Sequence, residues 1–282
     1  FFIPITHLKS FHYGNSLVMQ IHSISKVLAL PIVLLAVAIM YFSYNKYHFV
    51  SVWIFLPVAL LVAIYVFHGP LDHWWLSKFP LKFDPKLREW LAKYFEPYNK
   101  LSDDKKSLFE YRLTLYLEGR LFQSVGAELR EVPEDIKCMV AAHGVVIGLA
   151  HKDYLIGDMD RIYLYKHPFP TPDMQFLHNV EVNAEDGVII LSLEQLTNAV
   201  LHPDKYYNTA FHAYAEAFLI TQKNITYPDV SDTWQIIEKI SSWDQDNILN
   251  QTGLKDVNPL VVHIALYHSM PEMYKSISPE LW

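Results

Sequence analysis

The chain has a single cysteine, Cys138, among 282 residues, and it has few glycines and no excess of basic charge. One cysteine excludes an intrachain disulfide framework and is typical of a reducing compartment. The formal net charge of −7 argues against nucleic acid as a partner, because phosphate binding requires clustered Lys and Arg. Only 9 glycines are present, and they form neither a G-x-x-x-x-G-K nor a G-x-G-x-x-G phosphate-binding pattern. Disulfide-stapled folds and these two kinds of nucleotide-binding loop are therefore not expected.

Charged side chains are also absent from two stretches near the N-terminus. Val27–Tyr44 and Val50–Phe67 contain no Asp, Glu, Lys or Arg, and each could form a helix of about 27 Å. Because only Asn45–Phe49 separates them, segments 27–44 and 50–67 predict an antiparallel transmembrane hairpin. A signal peptide is one alternative for the first segment, but a second apolar segment follows at once without a small-residue cleavage site. A buried hairpin of a soluble domain is the other alternative.

Basic residues set the predicted orientation of this hairpin. The connecting loop has one basic residue, Lys46, whereas the flanks carry several. The flanking ones are Lys9, Lys26, Lys78, Lys82, Lys86, Arg88 and Lys93. By the positive-inside rule, both termini and the main domain are expected to lie in the cytoplasm, with the lipid bilayer as the first partner. Residues 1–26 are an N-terminal arm that either lies on the membrane or binds a partner, and residues 68–100 are a juxtamembrane linker and helix.

Residues 101–282 are predicted to form a cytoplasmic domain that is mainly α with a small sheet, an α+β class. Ser102 is predicted to cap a helix through Phe122, and Glu134–Leu149 is a helix with Gly144 and Gly148 suited to close packing. RIYLY at 161–165 alternates like a strand, and Asp-Gly at 186–187 indicates a hairpin between 181–182 and 188–191. Further helices are expected at 193–201, 206–222, 232–242 and 259–270. An Asp84-Pro85 pair predicts a separate helix start before the domain.

The stretch Phe211–Phe218 contains His212 and, four residues later, Glu216. Zinc peptidases of the H-E-x-x-H kind present two imidazoles at this spacing on one helical face, and a Glu after the first His takes a proton from the metal-bound water. Here Ala213 replaces that Glu and Glu216 replaces the second His. Alone, an H-x-x-x-E pair is usually a solvated or capped polar spot on a helix.

Four stretches in order resemble the Mlc titration factor A family of zinc-dependent peptidases. LSDDKKSLFEYRLTLYLEGRLF from Leu101 is similar to the family's opening helix, and Ile136–Phe169 ends in YKHPF where the family has I-Y-P-x-x-F. GVIILS at 187–192 is similar to the family's G-x-V-x-L-S-W strand, which leads into the motif helix. NPLV at 258–261 stands where the family has N/D-P-A-E, and PELW at 279–282 resembles its closing segment.

The resemblance implies a gluzincin-like fold, related to the anthrax lethal factor catalytic domain, with a degenerate zinc site. In the family, the two motif histidines and the Glu of N/D-P-A-E bind zinc, and the motif Glu is the general base. The matching positions here are His212, Glu216, Val261 and, for the base, Ala213; Leu254 stands at an active-site Tyr. Val offers no ligand atom and Ala transfers no proton. The resemblance therefore predicts no catalytic residue, no bound metal and no cofactor.

The sequence is consistent with two functions. The first is a catalytically inactive, membrane-anchored pseudopeptidase that acts as a structural or accessory subunit of a bacterial inner-membrane complex, with other membrane-protein subunits as partners. The alternative is a rearranged zinc site of His212, Glu216 and His268, with residual peptide binding or hydrolysis. A further class, a cysteine enzyme using Cys138 and His143, is disfavoured because reactive thiols need an accessible, electropositive setting.

Overall fold

The computed structural model of the chain describes residues 23–47, 52–126, 131–152, 154–227 and 233–278. These residues belong to two compact units, one within His12–Lys82 and the other from Phe83 onward. Most of the predicted N-terminal arm and the closing PELW segment lie outside the described residues. The described part of the chain is mostly helical with one small mixed sheet, which confirms the predicted mainly α, α+β class.

The N-terminal unit begins with α1, Ile24–Tyr47, a helix of 24 residues. Its segment Ile24–Lys46 has a mean hydropathy of 2.3 and is long and apolar enough to cross a membrane. Apolar side chains project outward along it, since Leu30, Leu34 and Phe42 are 63%, 62% and 69% exposed. The core helix of a soluble protein would bury such side chains. One apolar helix of membrane-spanning length is therefore present near the N-terminus.

The second predicted span, 50–67, is not one straight helix in the described residues. A 3₁₀ turn at Val52–Ile54 leads into α2, Phe55–Val66, and the chain continues as α3, His68–Lys78. The helix up to Val66 and α3 are bent by 68° relative to each other. Pro70 explains the bend, because it has no N–H for the Val66 carbonyl and its ring would clash there. The 12 residues of α2 span about 18 Å, less than the roughly 30 Å of a bilayer core.

One carboxylate joins the start of α1 to α3. The Asp72 side chain accepts hydrogen bonds from the backbone N of Ser25 at 2.8 Å and from the hydroxyls of Ser23 and Ser25 at 2.9 Å each. The first backbone N–H groups of a helix have no partner within it, so this carboxylate satisfies one of them from a distant residue. The first turn of α1 is thereby fixed against α3 in this unit, and α1 also packs against α2.

Capping residues set several helix starts in the larger unit. Asp84 accepts a hydrogen bond from the backbone N of Lys86 at 2.9 Å, which confirms the predicted Asp-Pro start. Asn208 and Asn258 cap later helices in the same way. The helices of this unit are α4 (Pro85–Tyr94), α5 (Glu96–Asn99), α6 (Asp103–Gly119), α7 (Glu134–Ile147), α8 (Leu193–Leu201), α9 (Thr209–Thr221), α10 (Thr233–Ser241), α11 (Gln245–Thr252), α12 (Pro259–Ser269) and α13 (Pro271–Ile277).

The sheet of the larger unit has the order β1-β2-β4-β3. Its strands are β1 (Leu121–Val125), β2 (Arg161–Tyr165), β3 (Val180–Asn183) and β4 (Val188–Ser192). β1, β2 and β4 are parallel, and β3 pairs antiparallel with β4 at the edge, which confirms the predicted strand at 161–165 and the hairpin. The prediction of a helix through Phe122 is wrong, because Phe122 lies in β1 opposite Ile162. Pairing with a strand 40 residues away overrides the local helical pattern.

The close packing predicted for Gly144 and Gly148 is confirmed. A Cβ on Gly144 would lie 2.7 Å from Cε1 of Tyr214, and a Cβ on Gly148 would lie 2.9 Å from Cα of Tyr154. Real Cβ atoms essentially never come this close to a neighbour. Tyr214 is fully buried, and its hydroxyl accepts a hydrogen bond from that of Tyr116 at 3.2 Å. Helix α7 therefore approaches α9 through a position that has no room for a methyl group.

The substitution Gly144→Ala is expected to lower the free energy of unfolding by about 1–3 kcal/mol, because overpacking a filled core forces side chains off their preferred rotamers. Urea unfolding of the detergent-solubilised chain, followed by near-UV circular dichroism, measures this change. Gly119→Ala is the matched control, since a Cβ there meets nothing within 4 Å. Equal stability of the two variants would contradict the close approach of α7 and α9.

Candidate functional site

Helix α9 carries the H-x-x-x-E pair through the centre of the core. Its N-cap Asn208 accepts a hydrogen bond from the backbone N of Phe211 at 3.0 Å. The helix packs against α7, α12 and the edge strand β3. His212 is buried, so the pair is not the solvated spot that an isolated H-x-x-x-E pattern suggests. At four residues apart, His212 and Glu216 lie on one helical face.

The His212 ring is held by a tyrosine that precedes α9. The hydroxyl of Tyr207 lies 2.9 Å from His212 Nδ1, and both side chains are buried. Burial lowers the pKa of His212 to about 4, so the ring is neutral near pH 7. A neutral imidazole can bind a metal, but here one of its two nitrogens is already occupied by Tyr207. Tyr207 lies five residues before His212 in the sequence. The spacing of the motif gives no reason to select this tyrosine as the partner of the histidine.

Glu216 is a partly buried carboxyl that makes no hydrogen bond with any described residue. Burial raises its pKa to about 7. Burial, and after it the charge of Glu216, raises the pKa of Tyr207, which shows that the two groups are close. His212 and Glu216 on α9, together with Tyr207 just before it, therefore bring a neutral imidazole, a phenol and a carboxyl of raised pKa close together.

Apolar side chains occupy the positions that match the family's base and third ligand. Ala213 is 0% exposed and Val261 is 2% exposed, and both belong to the hydrophobic core. Val261 lies in the first turn of α12, which packs against α9. Leu254 is partly buried and packs on the same core. No side chain at these positions can bind a metal or move a proton.

His268, the last member of the alternative zinc set, lies among aromatic rings. Its ring stacks on Phe211 with centroids 5.6 Å apart, whereas His212 contacts Tyr207. Burial and the neighbouring His143 lower the pKa of His268 to about 4. Within the described ranges, no group of three or more His, Cys, Asp and Glu side chains is placed to hold a metal ion. The structure thus does not gather His212, Glu216 and His268 into a ligand set.

His143 is a buried polar group beside this site that the sequence reasoning considered only as a partner of Cys138. Its Nδ1 lies 2.7 Å from the carbonyl oxygen of Met139 and its Nε2 lies 3.0 Å from Nδ2 of Asn208. A proton on Nδ1 satisfies both contacts, because Nδ1–H donates to the carbonyl and Nε2 accepts from the amide. Burial lowers the pKa of His143 to about 4.

Cys138 is buried, as the sequence reasoning favoured. Burial raises the pKa of its thiol, the opposite of what a nucleophilic cysteine requires. His143, five residues on, is already hydrogen-bonded at both nitrogens. Neither residue supports cysteine chemistry.

Comparison with protein-family models and with curated proteins gives no match to this chain. The resemblance to zinc-dependent peptidases therefore rests on the residues quoted above and on their order.

Proposed function

We propose that this chain is a catalytically inactive, membrane-anchored member of the zinc-peptidase family described above, and that it acts as an accessory subunit of a bacterial inner-membrane complex. The observation that carries this proposal is the pair Ala213 and Val261, which fill the positions of the base and third ligand with buried apolar groups. Hydrolysis by the family's mechanism needs a proton acceptor and a three-ligand metal. Neither can form at these positions.

The packing of α9 supports the proposed relation to the zinc-peptidase family. The motif helix follows β4 and α8 in the chain, lies against β3, and contacts α12, which begins at the Asn258-Pro259 pair. This is the order that the resemblance requires of a gluzincin-like domain. The positions of the lost ligands fall on α9 and α12, two helices in direct contact, as a former shared site would demand.

The apolar helix α1 supports the anchoring part of the proposal. In our proposal α1 is the first span, and the segment of α2 continuing into α3 completes a two-span hairpin with both termini in the cytoplasm. The single basic residue of the connecting loop, Lys46, and the several that follow residue 77 set that orientation. The net charge of −7 again disfavours nucleic acid as the partner.

The accessory role is tested by purifying the chain from its native membrane in a mild detergent and measuring the mass of the particle. We expect a stable complex that contains other membrane proteins at fixed stoichiometry. A chain that elutes alone at its own mass of 32.9 kDa plus detergent would refute the accessory role while leaving the degenerate site untouched.

Restoring the family's zinc-binding residues by substitution tests the proposed relation to the zinc-peptidase family directly. The triple variant Ala213→Glu/Glu216→His/Val261→Glu is expected to bind about one zinc ion per chain, because it restores three ligands on two helices in contact and adds the base. Elemental analysis after removal of loose metal, with a zinc-dependent rise in the melting temperature, measures this. The same triple variant with His212→Ala is the control and should lose the zinc.

Two results would contradict the proposal. A folded triple variant without zinc, with folding checked by circular dichroism, would show that these positions do not form the family's site. Stoichiometric zinc in the unchanged chain, lost on His212→Ala, would instead establish the rearranged metal site of the alternative function.

A further inference from the structure

A cleft of about 220 Å³ opens on the side of α12 that carries Leu260, His263 and Ile264. The C-terminal parts of α7 and α9 contribute Ile147 and Phe218 to its wall. Val261, the lost ligand position, is not among its described lining residues. The cleft therefore excludes the positions of the lost base and third ligand and shares only His268 with the alternative zinc set, and an inference about it does not depend on the accessory role.

Aromatic rings at steep angles to one another form much of this wall. Tyr267 and His268 have ring centroids 5.0 Å apart at 81°, and Tyr267 and Tyr274 have centroids 5.5 Å apart at 77°. On another side, His151 meets Phe218 edge to face at 4.8 Å. Rings that present both faces and edges accept a further aromatic ring in the offset or edge-to-face geometry that such pairs prefer.

The cleft also contains polar atoms that lack good hydrogen bonds. His263 is 2% exposed, and its Nε2 has no hydrogen-bond partner of adequate geometry. The hydroxyl of Tyr227, which also lines the cleft, is buried and has no hydrogen-bond partner among the described residues. A buried polar atom left unpaired is unfavourable by about 1–3 kcal/mol, so such atoms in native proteins require an explanation such as a ligand.

The tautomer of His263 indicates which partner would suit it. Nδ1 lies 2.9 Å from the hydroxyl of Tyr274, and burial lowers the pKa of the ring. With the Tyr274 hydroxyl donating to Nδ1, the single proton of the neutral ring lies on Nε2. His263 Nε2 and the Tyr227 hydroxyl then both offer protons to an acceptor.

We propose that this cleft binds a small uncharged aromatic molecule that carries a carbonyl oxygen, such as an aryl carboxamide. The volume fits one ring and one small substituent, since an apolar cavity of about 150 Å³ holds benzene. The carbonyl oxygen accepts from His263 and Tyr227, and the ring packs between Tyr267 and Phe218. The described lining contains no Lys or Arg, so a carboxylate would be buried without a counter-charge.

Metal binding does not explain this cleft. His151, His263 and His268 all line it, but the described residues hold no group of three ligands placed for a metal ion. Two of these rings are also involved in aromatic or hydrogen-bonding contacts with tyrosines of the wall.

The test uses the full chain in nonionic detergent and 4-fluorobenzamide as the probe, observed by ¹⁹F NMR against a detergent blank. Saturable line broadening is expected, with competition by benzamide but not by cyclohexanecarboxamide, benzoate or benzylamine. Ile264→Trp fills the cleft and should abolish binding. Tyr227→Phe keeps the ring, removes one donor, and should weaken binding about three- to tenfold. Leu201→Trp, an exposed site, is the control and should leave binding unchanged.

Three outcomes would overturn the proposal. No broadening beyond the detergent blank would exclude this ligand class. Equal broadening by the Ile264→Trp variant, shown to be folded by near-UV circular dichroism, would place the probe elsewhere. Stronger competition by benzoate or benzylamine than by benzamide would replace the uncharged ligand with a charged one.

Discussion

Acidification from about pH 6.5 to 4.5 is expected to reduce the free energy of unfolding of the larger unit steeply. Burial lowers the pKa of His143, His212 and His268 to about 4, whereas an unfolded histidine titrates near 6.5. Between these values the unfolded state binds more protons, so stability is present above the unfolded pKa and is lost as the pH falls. Glu216 offsets one of the three protons, because its folded pKa is raised to about 7. The net two protons of these four groups correspond to about 3 kcal/mol per pH unit.

Urea unfolding of the full chain at several pH values in this window measures the slope. His268→Phe keeps a ring beside Phe211 and removes one titrating group, so its slope should be smaller by about 1 kcal/mol per pH unit. His202→Gln changes an exposed histidine and should leave the slope as it is. Stability that does not vary with pH across this window would contradict the neutral form of the buried His143 and His212 and of the partly buried His268.

The substitution Glu216→Gln is expected to stabilise the chain at pH 8 by about 2–3 kcal/mol. The folded-state pKa of Glu216 is raised to about 7, above the ordinary value of 4.5, so the folded state resists ionisation. Its stabilising contribution as a neutral acid is fully present below the unfolded pKa and is lost as the pH rises through 7. Glutamine has nearly the same shape and no charge, so the gain should vanish near pH 4.5.

Glu185→Gln, at an exposed position, is the matched control and should change stability by less than about 0.5 kcal/mol at any pH. Thermal and urea unfolding at pH 5 and pH 8 provide the comparison. A loss of stability at pH 8 in Glu216→Gln would mean that the ionised carboxylate has a partner. Accompanied by loss of bound zinc, that result would favour the metal-binding function.

Local signals predicted the elements whose residues determine their own structure. The Asp84 side chain caps the helix that begins at Pro85, so this helix start depends on three neighbouring residues. The alternation of RIYLY predicts the strand at 161–165, and the Asp-Gly turn predicts the hairpin that follows. The strand β1 was missed because Leu121–Val125 becomes a strand only by pairing with β2. The bend before α3 does not follow from the apolar run 50–67, because Pro70 lies just beyond it.

The candidate site was predictable as a set of positions but not as an environment. Spacing placed His212 and Glu216 on one face of a helix, and the structure has that helix. The motif does not predict the hydrogen bond between Tyr207 and the His212 ring or the stacking of His268 on Phe211. Both contacts depend on how separate elements pack. The same holds for the buried pair of His143 and Asn208, which are 65 residues apart.

The contact between Asp72 and the first turn of α1 has a consequence for synthesis. Ser25 and Asp72 are separated by 47 residues, so all of α1 is synthesised before its capping carboxylate. During that interval the leading backbone N–H groups of α1 depend on water or on Ser23. A chain interrupted between residues 47 and 72 would therefore carry an apolar helix that lacks the Asp72 cap at its N-terminus.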